Sequence, residues 1–401
     1  MQPYLNTNIA SAPPSATFRV MDKVAARIAA GQEVIDLGSG ESDFDTPEHV
    51  RAAAIAAIEA GHTRYTQVAG LRKLRQAIVE KFNRENGLSV TPDDVIVGNG
   101  GKQIIFNALA VTLNKGDEVI IPAPYWVSYP GMVQLCGGKA IEVQCGANTR
   151  YKLTSAALEQ AITPNTRWLI INSPSNPSGA VYSREELRCL AEVLLRHPNV
   201  MVLSDDIYEH LLYDDAAFAT IAAVEPRLAA RTLTMNGVSK SYAMTGWRIG
   251  YGVGPSWLIS AMSKLQGQQT SGACTISQHA AIAALAGPQE FVAHCRSVFQ
   301  QRRDRMVRFI NNTPGLSCIA PDGAFYVFAS CAGLLGRVSR AGTQLSTDED
   351  VAAALLDEAG VATVHGSAFG LPSHIRFGFS YGDETLARAC SSIEKFCHSV
   401  R

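Results

Sequence analysis

The sequence lacks an excess of charge of either sign. Its 401 residues carry 35 Lys and Arg against 36 Asp and Glu, a net charge of −1. That balance argues against a nucleic-acid binder, which normally shows a basic surplus. The nine cysteines are an odd number with no CxxC pair, which fits buried thiols in a reducing compartment better than a disulfide framework or a zinc site. The chain does not open on a basic stretch followed by an apolar run, so no signal peptide is expected. Long apolar spans are missing too. The uncharged stretch 119–138 holds three prolines, and 265–289 is rich in Gln, Ser and Thr, so neither reads as a membrane helix. Internal repeats and low-complexity segments are absent. The expectation is a soluble cytoplasmic protein with no metal centre.

What is present is ordinary globular composition, 47% hydrophobic and 18% charged. At about 150 residues per domain the length predicts two or three domains. Seven short apolar runs read as buried strands: 95–97, 118–121, 140–143, 168–172, 200–204, 232–235 and 250–253. Amphipathic stretches such as 104–113 and 184–195 lie between several of them. Alternating strand and helix predicts a mostly parallel sheet covered on both faces, with functional residues at the carboxyl ends of its strands. The C-terminal part differs. A long helical pattern over 291–310 leads to PDGAFYVF, a helix over 348–359 and two strand candidates, VATV and IRFGFS, an α+β pattern. The first forty residues lack a core of their own and read as an arm or as part of that second unit.

Four segments carry chemistry. In NGVSKSYAMTGWRIGYGVG (236–254), Lys240 follows a strand among small and apolar neighbours, and Arg248 comes eight residues later. Burial lowers a lysine pKa and frees its amine for Schiff-base chemistry, and a nearby arginine can grip a phosphate with its fork of donors. Taken alone, either is a surface charge or an ion-pair partner. In SDDIY (204–208), Asp205 suits a cationic ring nitrogen and Tyr208 a hydrogen bond to the same ring, or the two are simply a loop cap and a core residue; Asp206 competes with Asp205, or is an acid at the surface or one standing behind the site. NSPSNPSG (172–179) is a rigid turn that fixes the Asn176 amide. GNGGKQ (98–103) opens a helix, where backbone N–H groups make a phosphate seat.

Together these segments resemble the pyridoxal-phosphate-dependent aminotransferases of the aspartate aminotransferase superfamily, most closely the bacterial aspartate and aspartate/prephenate branch. The resemblance runs in order through SAPPSAT, GSGESDFDTPEHV, RYTQVAGLRKLR, GGKQ, PYWVSYP, NPSGAVY, SDDIYEHLLY, SKSYAMTGWRIGYGVGP, GAFYVF and HIRFGFS. It implies an α/β pyridoxal-phosphate transferase fold: a large domain on a mostly parallel seven-stranded sheet and a smaller α+β domain. The implied division is residues 1–48 as arm and part of the small domain, 49–290 as the large cofactor-binding domain and 291–401 as the C-terminal small domain.

The resemblance also assigns roles. Lys240 matches the lysine that holds the cofactor and shuttles the proton, and Asp205 the acid that pairs with the ring nitrogen. Tyr208 and Asn176 match the partners of the ring oxygen. Arg248 matches the phosphate cup, with Gly101, Lys102 and Ser239. Trp126 matches the ring that stacks on the cofactor. Arg376 matches the clamp on the substrate α-carboxylate, with Gly40 lining that pocket. Lys102, Ser15 and Thr17 match groups that take a distal carboxylate, which favours aspartate as donor and 2-oxoglutarate as acceptor in a ping-pong cycle. Tyr65 matches a tyrosine that reaches the neighbouring subunit's phosphate, so a homodimer with shared sites is implied. An aromatic or prephenate aminotransferase and a carbon–sulfur lyase on the same fold are the alternatives. One departure is His365, where close relatives carry proline; its plain reading is a neutral surface residue.

Overall fold

The computed structural model describes residues 4–5, 7–11 and 16–401, and leaves the side chains of Thr7, Ser11 and 16–19 undescribed. In chain order the strands are β1 (Ile35–Asp36), β2 (Val95–Asn99), β3 (Glu118–Ala123), β4 (Lys139–Gln144) and β5 (Thr166–Asn172). Then come β6 (Met201–Asp205), β7 (Thr232–Gly237), β8 (Ile249–Val253) and β9 (Ser317–Cys318). The last four are β10 (Tyr326–Ser330), β11 (Val361–Ala362), β12 (Val364–His365) and β13 (His374–Gly378).

β2 to β8 form one seven-stranded sheet in the order β2-β8-β7-β6-β5-β3-β4. All neighbours are parallel except at β8, which is antiparallel to both β2 and β7. The seven strands expected from apolar runs are the seven of this sheet. Six have mostly buried residues, but β4 is not the buried strand that Ala140–Val143 suggested. It ends the sheet, and no residue from Lys139 to Gln144 is buried. A single flank leaves its second side open, and its alternating Lys, Glu and Gln suit such an edge.

The second unit holds the antiparallel order β12-β13-β10-β9. The VATV segment is not one strand. Its first half pairs in parallel with β1, and its second half joins β13. Part of the N-terminal segment packs on this unit: Val20 and Val24 of the helix Ala16–Ala29 lie against Leu356 and Ala362. The helix Glu290–Asn312 serves two cores. Val292 lies in the cluster with Val97 and Ile249, whereas Cys295, Phe299, Met306 and Ile310 join Phe325 and Phe377. All nine cysteines are free, though Cys274 is exposed and only four are buried. Among the described residues no helix is long and apolar enough to cross a membrane.

Candidate active site

The antiparallel strand explains where the cations gather. β2, β5, β6 and β7 end at one edge of the sheet, and β8, running the other way, begins there. Asn99 pairs with Ile249, so Arg248 meets the turn that closes β2. It holds a left-handed backbone, φ 57°, and donates from Nη1 to Thr245 O at 2.8 Å and from Nη2 to Asn99 O at 3.3 Å. Gly100 is required beside it: φ is +84°, and a Cβ there would stand 2.4 Å from Arg248 Nη2. The helix Gly101–Thr112 starts at this turn and directs its first unpaired N–H groups to the same place.

In front of this edge lies a cavity of about 570 Å³. Lys240, just past β7, borders it and donates from Nζ to Gly40 O at 2.7 Å. Burial lowers the Lys240 pKa to about 8; Glu41 opposes the fall, and Arg376 and Arg248 add to it. Asp205 ends β6 level with Asn172 and Met235 on the flanking strands. It accepts from Tyr129 Oη at 2.5 Å and from the Ile207 N–H at 3.3 Å. Burial pushes it up to about 6, although those two donors and the Lys240 charge each draw it down. Asp206 is the acid standing behind the site rather than one at the surface. It is buried outside the cavity lining, accepts from Ser204 Oγ at 2.7 Å, and is raised to about 8 chiefly by burial.

The far wall comes from the second unit. Arg376 on β13 and Tyr326 on β10 are diagonal neighbours across the strand pair, and the guanidinium carbon sits 4.4 Å from the Tyr326 ring centre. Arg376 donates from Nη1 to Asn176 Oδ1 at 2.9 Å and from Nη2 to Gly38 O. Its Nε is buried with no hydrogen-bond partner among the described residues. Tyr208 Oη lies 3.0 Å from Tyr326 Oη, and burial together with Tyr326 holds its pKa well above the usual phenol value. Gly40 must lack a side chain, since a Cβ would come within 2.8 Å of Tyr326 Oη. Lys102 Nζ sits 5.0 Å over the Trp126 ring; burial and then Arg248 lower its pKa.

Lys240, Asp205, Tyr208, Asn176, Ser239, Arg248, Gly101, Lys102, Trp126, Gly40 and Arg376 therefore border one cavity. Three expected residues are not placed there. Ser15 lies outside the described residues. Thr17 lies on the helix Ala16–Ala29, with its side chain undescribed. Tyr65 is 93% exposed and does not border the cavity of its own chain. His365 is buried rather than superficial, because β12 sets it opposite Ile375 on the strand that carries Arg376. The sequence reading missed Tyr129, Tyr326 and Glu41. Tyr129 in PYWVSYP and Tyr326 in GAFYVF stood inside quoted motifs, and Glu41 followed Gly40 directly, yet only the fold turns them toward the lysine and the acid.

The family model for aminotransferase class I and II matches residues 32–393, and the chain belongs to that family. It is 55% identical to an aspartate/prephenate aminotransferase of Cereibacter sphaeroides over 394 residues, 98% of each chain. A solved aspartate aminotransferase from Rhizobium meliloti superposes with a TM-score of 0.96 at 50% identity, covering 100% of both chains. The aspartate aminotransferase of Thermus thermophilus with maleate gives 0.91 at 39% identity, covering 98% of this chain and 99% of that one.

Proposed function

We propose that the protein is a pyridoxal-phosphate-dependent aspartate aminotransferase with 2-oxoglutarate as acceptor. The observation that carries this reading is the convergence of Lys240, Asp205, Arg248 and Arg376 on one cavity. The residues suit the cofactor. The Gly100–Gly101 turn, left open by the absence of a Cβ, faces the Arg248 fork and would take its phosphate. A buried carboxylate whose pKa is raised in isolation is one that gains from a cationic ring nitrogen. When bound, the cofactor supplies an electron sink for the carbanion left by removal of the α-proton.

The chain does the rest. Lys240 would hold the cofactor through Nζ and, once displaced by substrate, would accept the α-proton there and deliver it to the cofactor carbon that had been bound to Nζ. Asp205 keeps the ring nitrogen protonated, and Tyr129 and the Ile207 N–H keep the carboxylate in place. Tyr208 stays protonated and donates to the ring oxygen. Arg376, held in plane by Asn176 Oδ1 and Gly38 O, grips the α-carboxylate. Lys102 beside Trp126 offers a second cation for a distal carboxylate, which favours a dicarboxylic donor over a carbon–sulfur lyase substrate. Aspartate and glutamate should each abolish the visible band of the lysine-bound cofactor. A response to Phe, Tyr or Trp alone overturns the assignment.

The exposed Tyr65, with Ile55 and Ile58 57% and 53% exposed on the helix Glu48–Glu59, supports a homodimer in which Tyr65 serves the neighbouring site. Two further outcomes are expected. Arg376→Lys replaces a planar fork by a point charge, so KM for aspartate should rise about 100-fold, with a smaller fall in kcat, in steady-state assays. Lys240 titrates near pH 8, and only its neutral amine attacks an aldehyde. Cofactor loading by the apoprotein, followed by absorbance, should quicken about tenfold per pH unit below 8 and level off above it.

A further inference from the structure

Two carboxylates border the cavity among the described residues, and only one has been given a task. The charged groups are Lys102, Lys240, Arg248, Arg376, Asp205 and Glu41. Asp205 is buried at the end of β6, whereas Glu41 is exposed. Its backbone is held on both sides. Gly40 O, the preceding carbonyl, accepts from Lys240 Nζ at 2.7 Å, and Glu41 O accepts from Ser380 Oγ. Two residues on, Asp43 is clamped by Arg302 through two bonds of 2.8 Å, and its N–H reaches Ser380 O at 3.0 Å. The Glu41 carboxylate makes no ion pair among the described residues, so its charge acts on whatever enters. Its field already reaches Lys240, where it opposes the loss of the proton.

This placement bears on a problem that the cations leave unsolved. An amino donor brings an α-ammonium group; a keto acid or any other dicarboxylate brings carboxylates alone. Arg376 and Lys102 attract both kinds of ligand. Discrimination needs a fixed group that repels the wrong one, and an anion near Lys240, where the ammonium must arrive, is such a group. We propose that Glu41 is a specificity-determining residue that favours ligands carrying an α-ammonium group over dicarboxylates lacking one. It would thereby limit dead-end occupation of the lysine-bound form by keto acids. The inference rests on the aminotransferase reading of the site.

The test uses the holoenzyme and two probes that cannot turn over. Maleate has two carboxylates and no ammonium group. α-Methylaspartate has the ammonium group but no α-hydrogen to lose. Each is titrated into wild type, Glu41→Gln and Glu41→Asp while the cofactor absorbance is followed. Glu41→Gln should weaken α-methylaspartate roughly fivefold and tighten maleate roughly twofold. Glu41→Asp, which keeps the charge, should restore the wild-type order. Raising the salt should shrink the wild-type difference, because an exposed charge is screened. Equal shifts for both probes, or none, overturn the proposal. A wild-type holoenzyme that responds to neither probe overturns the aminotransferase reading, and this proposal with it.

Discussion

Lys240→Ala will bind substrates and convert almost none of them. Its kcat should fall on the order of 10⁴-fold or more, because in the proposed function one side chain supplies both the covalent anchor and the proton carrier. The amine sits against Gly40 O at 2.7 Å, with Asp205, Arg248 and Arg376 all near enough to act on its charge. No other lysine but Lys102 borders the cavity among the described residues, and Lys102 lies over Trp126. Lys240→Arg is the informative companion. It keeps a cation there yet offers no nucleophilic amine at neutral pH, so it should fail as badly. Activity in either variant within about tenfold of wild type would show that the lysine is structural. Absorbance gives a second readout, since the visible band of the lysine-bound cofactor should be missing from both.

Asp205→Asn should come next, with kcat reduced on the order of 10³-fold and a smaller change in KM. Tyr129 Oη donates to Oδ2 and the Ile207 N–H to Oδ1, so the amide oxygen keeps one of these two donors while the charge is lost. Stability of the cofactor-free protein should move the opposite way. The carboxyl pKa is about 6 in the fold against a reference value of 3.8. The folded state therefore holds the proton more tightly than the unfolded one, and stability falls as pH rises through that interval. Above pH 6 the ionised, buried Asp205 costs roughly 3 kcal/mol, and the amide should recover much of it at pH 7 and little at pH 4. Denaturant melts of both apoproteins at the two pH values test this. An Asp205→Asn apoprotein less stable than wild type at pH 7 would contradict it. The binding site thus holds a group that stabilises the fold only when a cation sits against it.

Much of this was legible because strands with both faces covered leave a plain trace. The runs at 168–171 and 200–203 are apolar without alternation, and each leads into a motif with chemistry. The edge strand β4 was read as buried because its Ile141 and Val143 outweighed the Lys139, Glu142 and Gln144 around them. The VATV segment misled for a different reason: four residues are too few to show that pairing passes from one sheet to another within them. His365 looked like a surface group, and Asp206 could be read as one or as an acid behind the site, because burial of a polar side chain depends on what the rest of the chain lays over it. Glu41 and Tyr326 face Lys240 across about 200 and 86 residues of sequence, a separation that no local pattern spans. Motif matching found groups that border the cavity, but not Tyr129 or Tyr326, which hydrogen-bond Asp205 and Tyr208.

The helix Glu290–Asn312 runs about 34 Å and lends its opening turns to one core and its later turns to the other. Neither core can melt while keeping this helix intact without exposing the apolar stripe it had covered. The helix is therefore a shared spine, and it ties the cooperativity of unfolding in the sheet that holds Lys240 to that in the sheet that holds Arg376.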